Sequence, residues 1–264
     1  FNQAARASVL RYEREWKQIV PRLGRFVDME HAYKTMDSEY TEAIWGAWKS
    51  LWEKQFVYEG FVAMHICPRC ETTLANFEVA QGYKEIKDLA VTVKFELLDS
   101  PGTYVLAWTT TAWTLPGNAA LAVKPDARYV KFENYIVAKE RLEAIAPGAK
   151  ILEEFDGKEL VGKIYKTVFN YYKTEGKILG ADFVTMEEGT GVVHIAPSFG
   201  EDDMRLGKAN GLPFIQHVGI DGKMKSEVKE FAGLPVKPKS EHMRTDEAIA
   251  AFLEVRGLLY HHAH

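Results

Sequence analysis

The chain has 264 residues, of which 47% are hydrophobic and 27% are charged. This composition is typical of folded globular proteins and excludes global disorder, and the length predicts about two domains. Lysine and arginine total 33 against 37 aspartates and glutamates, which gives a net charge of −4. Because non-specific duplex binders usually carry a basic excess, this balance argues against that class. No apolar run approaches the ~18 residues of a membrane helix and no leader peptide is visible, so we expect no membrane partner.

The first 60 residues are predicted to be helical. Apolar residues recur at three- and four-residue spacing over 3–20, and Pro21 and Gly24 end the pattern. A second helix is predicted over 38–55, with Asp37 or Ser38 as its N-cap. It carries an apolar stripe that contains three tryptophans: Ile44, Trp45, Trp48, Leu51 and Trp52. Packing in the core is the simpler interpretation, and a docking face for a domain outside this chain is the alternative.

Beyond residue 60 the sequence is typical of short strands separated by turns. Strands are predicted at 91–97, 104–110, 119–123, 129–133, 135–138, 166–171, 183–186 and 191–196. Short helices are predicted at 139–146, 201–210 and 245–256, the last with Thr245 as N-cap and Gly257 just after its end. Many short strands with turn signals between them indicate a closed or nearly closed sheet. The predicted fold class is therefore α+β, with a β-barrel-like domain and short peripheral helices.

Three consecutive threonines, Thr109, Thr110 and Thr111, follow Trp108 and precede a turn at Pro116, Gly117 and Asn118. Threonine is a good strand former, which is the plain explanation of the run. Neighbouring strand residues point to opposite faces, however, so at least one of these hydroxyls should meet the core unless a polar site is there. The functional interpretation is a group of hydroxyls at a pocket rim, able to stabilise a carbonyl oxygen as it becomes an oxyanion.

A second segment, from Gly189 to Asp203, combines a strand, a glycine-bearing loop and a helix start. The acidic residues at its end, Glu201, Asp202 and Asp203, are adequately explained by the helix dipole. A carboxylate at a pocket edge could instead bind an ammonium group. His194 lies on the apolar strand, where a hydrogen-bonded core histidine is the more common outcome.

The chain has two cysteines, Cys67 and Cys70, in one Cys-x-x-Cys turn. A structural zinc site needs four ligands, and no second pair is present. A disulfide scaffold is excluded by this count, and a reducing, cytoplasmic compartment is expected. The sequence also contains no Gly-x-Ser-x-Gly elbow, Walker loop, dinucleotide fingerprint or His-Glu-x-x-His. If the protein is a hydrolase, water is therefore the expected nucleophile.

These motifs together resemble the class I isoleucyl-tRNA synthetase family. The resemblance spans nearly the whole chain and rests on the segments 24–28, 33–37, 67–70, 108–118 and 189–203. Residue His194 favours the isoleucyl over the valyl and leucyl members, which usually carry Lys or Met at this place. The resemblance implies an internal fragment, with a helical segment of the catalytic domain and the Cys-x-x-Cys turn at 1–75 and the inserted editing domain (CP1) at 76–264. The ATP signatures are absent, so we expect no amino-acid activation.

The family's activity implies hydrolysis of valine misattached to tRNA(Ile), with Val-AMP as a further substrate and no cofactor. It implies catalytic roles for Asp203, as partner of the substrate ammonium, and for Thr109, Thr110 and Thr111, which would orient the ester and the water. It implies that His194 walls the pocket against isoleucine and that Asn118 braces the threonine strand or contacts the terminal adenosine. Residues Trp108 and Gly200 complete the expected substrate-binding set.

For the two cysteines, the family implies half of a zinc site in the full-length protein, with Cys67 and Cys70 as ligands and the second pair outside this chain. The implied partners are the tRNA(Ile) acceptor end and the rest of the synthetase. Two other functions stay open. One is a valyl or leucyl editing domain, and the other is a tRNA-docking module without chemistry, with the tryptophan-rich helix as its partner face.

Overall fold

Two helices, α1 (Asn2–Arg22) and α2 (Ser38–Glu53), form the first part of the chain and confirm both helix predictions. They belong to a computed structural model that describes residues 1–173 and 175–263. The chain divides into two compact units, Phe1–Phe61 and a second unit that begins at Val62. The domain boundary between residues 75 and 76, which rests on the family resemblance, stays a prediction. No helix in the described part of the chain is long and apolar enough to cross a membrane.

The tryptophan stripe of α2 is exposed, with Trp45 at 71% of its full accessibility and Trp52 at 62%. Neither α1 nor α2 has a buried residue among those described. The interpretation of the stripe as core packing is therefore wrong for this chain. Large exposed apolar patches often mark interaction surfaces, and the docking-face alternative stays a prediction.

The second unit opens with a small hairpin, β1 (Ile66–Cys67) and β2 (Thr72–Thr73), followed by the short helix α3 (Asn76–Gln81). The hairpin pairs Cys67 with Thr72 in antiparallel register. The two cysteines therefore lie at the end of β1 and in the turn that follows it.

A mixed sheet of ten strands forms the body of this unit. The strands are β3 (Ala90–Glu96), β4 (Tyr104–Thr109), β5 (Ala120–Val123), β6 (Arg128–Phe132), β7 (Tyr135–Ala138), β8 (Ile151–Asp156), β9 (Ile164–Tyr165), β10 (Gly176–Gly180), β11 (Val192–Ile195) and β12 (Leu259–Ala263). The order is β8-β6-β7-β4-β11-β5-β10-β9, and β3 pairs with β4 on one side and with β12 on the other. Strand β4 is central, because it pairs with β3, β7 and β11.

The sheet curls until β9 meets the end of β3, so the expectation of a β-barrel-like domain is confirmed. The amide of Leu98 donates to the carbonyl of Ile164 at 2.9 Å, and the amide of Lys166 donates to the carbonyl of Glu96 at 2.8 Å. These two bonds join the end of β3 to β9 and close a ring of six strands: β3, β4, β11, β5, β10 and β9. Within this ring each strand has a partner on both sides, and β8 and β12 remain as edge strands of the sheet.

The core lies inside this ring and is formed by alternate residues of its strands, such as Val93, Phe95 and Leu121, all fully buried. The ring of Tyr165 fills the interior against Phe95, with ring centroids 5.2 Å apart. Gly176 has to be a glycine here, because a Cβ would lie 2.3 Å from the Tyr165 ring. The glycine at position 176 is therefore explained by the packing of the Tyr165 ring.

Two predicted strands are wrong. Residues 166–171 and 183–186 form loops and turns, although Val168, Phe169 and Val184 are buried as in a strand. Apolar side chains on a loop can fill a core without backbone pairing, and periodicity does not separate the two cases. The strands that were not predicted are β1, β2, β8, β9, β10 and β12. Strand β10 is short and bounded by glycines, and β8 is exposed along most of its length.

Short helices surround the barrel. The segment 139–146 forms a 3-10 turn (Lys139–Arg141) and α4 (Leu142–Ile145), and a second 3-10 turn (Ala112–Gly117) follows β4. Helix α5 (Glu201–Asn210) has the predicted bounds, and α6 (Arg244–Val255) is shifted by one residue. Thr245 as N-cap of α6 is wrong, because the hydroxyl of Thr245 donates to the carbonyl of Pro235 and Met243 is the cap residue. Gly257 follows the helix with a positive φ of 68°, as predicted.

Candidate active site

Strands β4 and β11 bring the two sequence motifs together. They pair in parallel through Val193 and Trp108. The threonine run therefore begins at the end of β4 beside His194. Five residues separate the end of β11 from the start of helix α5, so the first turn of α5 lies at the same end of the barrel.

A cavity of about 240 Å³ opens where these elements meet. It is lined by Trp108, Thr109, Thr110, Thr111, Thr114, Val193, His194, Ala196, Phe199 and Asp203. Six of the eight residues predicted for catalysis or substrate binding thus surround one cavity, while Asn118 and Gly200 are not among its lining residues. The roles assigned to all eight residues stay predictions.

The threonines form a hydrogen-bonded cluster. The Thr111 amide donates to Oγ1 of Thr109 at 3.1 Å, which turns the chain away from β4. The hydroxyls of Thr109 and Thr111 lie 3.1 Å apart, and those of Thr111 and Thr114 lie 3.4 Å apart. Thr110 is exposed at the rim. The cluster presents hydroxyl groups that can donate to an oxyanion and accept from a water molecule.

His194 is held at both ring nitrogens and is only 7% exposed. Its Nδ1 lies 2.8 Å from Nδ2 of Asn118, which can only donate, so Nδ1 accepts. Its Nε2 therefore carries the proton and donates to Oγ1 of Thr114 at 2.9 Å. The Thr114 hydroxyl in turn donates to the carbonyl of Thr111 at 2.8 Å. Burial lowers the pKa of His194 to about 3, so the ring is neutral and is poorly suited to act as a general base.

Asp203 lies in the first turn of α5. Its Oδ1 accepts a hydrogen bond from the Ala196 amide at 2.7 Å. Burial raises the pKa of this carboxyl group, although the Ala196 amide opposes the shift. A cationic ligand in the cavity would offset that cost of burial and favour the ionised carboxylate.

Gly200, the N-cap of α5, has no side chain that would clash with the Asp203 carboxylate. A Cβ at position 200 would lie 2.2 Å from Oδ2 of Asp203. Any other residue here would push the carboxylate away from its present position. Gly200 therefore acts on the cavity through Asp203.

Sequence reasoning missed Thr114 and Phe199 as parts of the site. Thr114 is buried and contacts both His194 and Thr111. Thr114 lies three residues after Thr111 in a tight turn, and this spacing could have indicated that the two side chains are close. Phe199 packs against Trp113 and His217, with ring centroids 5.3 Å and 4.7 Å away.

The cavity is smaller than two others in this unit. One, of about 910 Å³, shares Trp108 and is also lined by Arg141, Tyr260 and His261. Another, of about 500 Å³, lies around Asp182 and Phe183. The smaller cavity is the better candidate for chemistry, because the buried carboxylate, the neutral histidine and the hydroxyls converge there and not in the larger ones.

The Cys-x-x-Cys turn provides two free thiols. Backbone amides of Cys70 and Arg69 lower the pKa of Cys67, which favours the thiolate that zinc requires. No group of three or more potential ligands occurs among the described residues. The donor set thus fits half of a tetrahedral site, and we propose that the other half lies elsewhere in a longer protein.

Two buried histidines should make stability fall in acid. Burial lowers the pKa of His194 to about 3 and that of His217 to about 4. Unfolded histidine titrates near pH 6.5, so the unfolded state binds more protons between about pH 6.5 and 4. The free energy of unfolding should therefore decrease as the pH falls through this window, by up to about 1.4 kcal/mol per pH unit for each histidine.

The measurement is urea unfolding at several pH values. We expect the free energy of unfolding of His217→Gln to depend less steeply on pH than that of the unsubstituted chain. Equal slopes for His217→Gln and the unsubstituted chain would contradict this assignment.

Comparison with known proteins decides the family. Residues 1–244 match the family described as "tRNA synthetases class I (I, L, M and V)". The chain belongs to this class I synthetase family. It is 42% identical to the isoleucine–tRNA ligase of Treponema denticola over 98% of the chain and 27% of that protein. It is 39% identical to the isoleucine–tRNA ligase of Clostridium tetani over 98% of the chain and 25% of that protein. The chain thus spans about a quarter of the length of the curated relatives it matches.

Solved synthetase structures share the fold. The crystal structure of GlLeuRS-CP1 matches with a TM-score of 0.53 and 17% identity, over 67% of this chain and 99% of that one. The Plasmodium knowlesi cytosolic leucyl-tRNA synthetase editing domain matches with a TM-score of 0.52 and 12% identity, over 70% of this chain and 99% of that one. The class I chain therefore has the fold of CP1 editing domains, which confirms the predicted fold class.

Proposed function

We propose that this chain is the editing part of an isoleucyl-tRNA synthetase and that it hydrolyses the ester joining valine to tRNA(Ile). The observation that carries the proposal is the convergence of Asp203, His194 and the threonine hydroxyls on one small cavity. The isoleucine–tRNA ligases among its relatives and the editing-domain fold support it. Valyl adenylate is a second substrate of the same chemistry. The setting we propose is the cytoplasm, with the rest of the synthetase and the tRNA(Ile) acceptor end as partners.

The need for such a site follows from the energetics of small apolar differences. One methylene in a hydrophobic pocket contributes only ~1–3 kcal/mol of discrimination, and isoleucine against valine is the standard example. A second pocket that accepts valine and excludes isoleucine corrects the remaining errors. His194 suits the role of the excluding wall, because both of its nitrogens are fixed and its ring borders the cavity.

The proposed reaction is attack of water on the ester carbonyl. Asp203 binds the α-ammonium group of valine and fixes the substrate. The carbonyl oxygen becomes an oxyanion, and the hydroxyls of Thr109 and Thr111 stabilise it and align the water. The tetrahedral intermediate then releases valine and the free ribose hydroxyl. Because His194 is a poor base, the neighbouring ribose hydroxyl of the tRNA is the group we propose to assist the proton transfer.

Thr111→Val tests the hydroxyl cluster. Valine keeps the shape of threonine but removes the hydroxyl, so we expect the single-turnover rate of valine release to fall on the order of 10²-fold, as for loss of one oxyanion donor. Thr111→Ser should restore most of the rate. An undiminished rate in Thr111→Val would leave Thr111 with a structural role only.

A docking module without chemistry is the second candidate, because the tryptophan stripe of α2 is exposed. The test is to incubate the chain with Val-tRNA(Ile) and to follow both complex formation and free valine. Release of valine supports the editing function, and a binding shift without release supports the docking module.

Faster hydrolysis of Thr-tRNA(Val) than of Val-tRNA(Ile) would favour a valyl editing domain instead.

A further inference from the structure

A buried chain of polar side chains runs from the barrel interior to the cavity wall. The hydroxyl of Tyr165, on β9, donates to Oδ1 of Asn118 at 2.6 Å. Nδ2 of Asn118 donates to Nδ1 of His194 at 2.8 Å. Tyr165 and Asn118 are 1% and 4% exposed and are not among the residues that line the cavity. Their contact with the cavity lining is the bond between Asn118 and His194.

Two partners, Ala120 and Tyr165, hold the Asn118 amide in one orientation. The carbonyl of Ala120 only accepts, and it takes a proton of the Asn118 amide nitrogen at 3.0 Å. This contact favours the orientation in which Nδ2 of Asn118 faces Ala120 and His194 and Oδ1 faces Tyr165. A buried amide oxygen needs a donor, and the Tyr165 hydroxyl is that donor.

We propose that Tyr165 is a positioning residue of the site: through Asn118 it keeps the proton of His194 on Nε2. For its effect on catalysis, the inference rests on the editing function proposed above. The tautomer of His194 can be measured in the protein without substrate, so this part of the inference does not depend on the editing function.

The tautomer sets how the pocket threonines are arranged. With the proton on Nε2, His194 donates to Thr114, and Thr114 is free to donate to the Thr111 carbonyl. With the proton on Nδ1, the Thr114 hydroxyl would have to donate to Nε2. The Thr111 carbonyl would then lose the hydroxyl and keep only the Thr114 amide as a donor, at 2.9 Å. The turn that presents Thr111 would then be held less firmly.

Tyr165 and His194, the two ends of this hydrogen-bonded series, keep their protonation states over the working pH range. Burial raises the pKa of Tyr165 far above its usual value, so the hydroxyl always donates. Burial lowers the pKa of His194 to about 3, so the ring stays neutral. The position of the His194 proton therefore depends on its partners and not on the pH.

The first test is Tyr165→Phe, which removes only the hydroxyl. The readout is the 15N NMR spectrum of the histidine rings without tRNA, with His194 assigned from the signals lost in His194→Gln. We expect Nε2–H alone in the unsubstituted chain and a mixture of both tautomers in Tyr165→Phe. Valine release from Val-tRNA(Ile) should fall about fivefold, the scale of one lost hydrogen bond.

The matched control is Tyr129→Phe. Tyr129 is also fully buried in the barrel, but its hydroxyl donates to the carbonyl of Gly191. This variant should lose stability to a similar extent and keep the tautomer of His194. An unchanged tautomer in Tyr165→Phe overturns the proposal, even if the rate falls, because the hydroxyl would then be merely structural.

A second variant keeps the proposal testable if Tyr165→Phe does not fold. Asn118→Asp has the same shape, but its carboxylate only accepts. It should move the His194 proton to Nδ1, and retention of Nε2–H would overturn the proposal. If the unsubstituted chain releases no valine, the editing function fails while the tautomer test still stands.

Discussion

Asp203→Asn should reduce valine release from Val-tRNA(Ile) by about 30-fold to several thousand-fold in kcat/KM, with the fold retained. Loss of one partner of a buried, hydrogen-bonded charge pair costs roughly 2–5 kcal/mol, which corresponds to this range. Asparagine keeps an oxygen that can accept from the Ala196 amide, so the start of α5 should be undisturbed. The lower rate of valine release would then result from the missing negative charge and not from a lost hydrogen bond to the Ala196 amide.

Asp202→Asn is the matched control. Asp202 lies in the same helical turn, but its side chain is 53% exposed and interacts with Arg205 on the surface. Its replacement should leave valine release within about twofold, since exposed ion pairs contribute little. Equal losses in the two variants would show that α5 as a whole, and not the Asp203 carboxylate, supports the activity.

His194→Ala should let the chain hydrolyse Ile-tRNA(Ile). The imidazole borders the cavity, and its removal makes room for the methylene that distinguishes isoleucine from valine. The preference for valine over isoleucine should therefore fall about 10- to 200-fold, the range that one methylene can supply. The measurement is the ratio of the two deacylation rates in a single preparation, which cancels any difference in active fraction.

The same change should lower the free energy of unfolding by roughly 1–3 kcal/mol, because Asn118 and Thr114 each lose a buried partner. Urea unfolding measures this loss and shows whether the variant is folded in the deacylation assay. If Ile-tRNA(Ile) stays protected in a folded His194→Ala chain, the wall against isoleucine lies elsewhere in the pocket.

Much of the fold could be predicted because local signals agree with the final structure. Helix α5 has an acidic first turn and Gly211 after its end, and both of its bounds were predicted. Strand β10 was missed, because its glycines are weak strand formers that are needed only for close packing, as Gly176 is against Tyr165. The loop at 166–171 looked like a strand because it fills the core with apolar side chains.

The site was predictable only as two separate motifs. The Thr109–Thr111 run and the segment ending at Asp203 stood out in the sequence, but nothing local indicated that Trp108 pairs with Val193. Asn118 contacts Tyr165, 47 residues away in sequence, and His194, 76 residues away. Such contacts are set by the barrel register, which single-sequence patterns do not contain. The apolar stripe of α2 was visible in the sequence, but the pattern alone does not show whether the stripe is buried in this chain or exposed.

The most direct test of the proposed function is a single-turnover comparison of Val-tRNA(Ile) and Ile-tRNA(Ile) with the purified chain, with Asp203→Asn in parallel. The proposal predicts rapid release of valine, slow release of isoleucine and loss of both in the variant. Equal release of the two amino acids, or valine release that Asp203→Asn leaves unchanged, would contradict it.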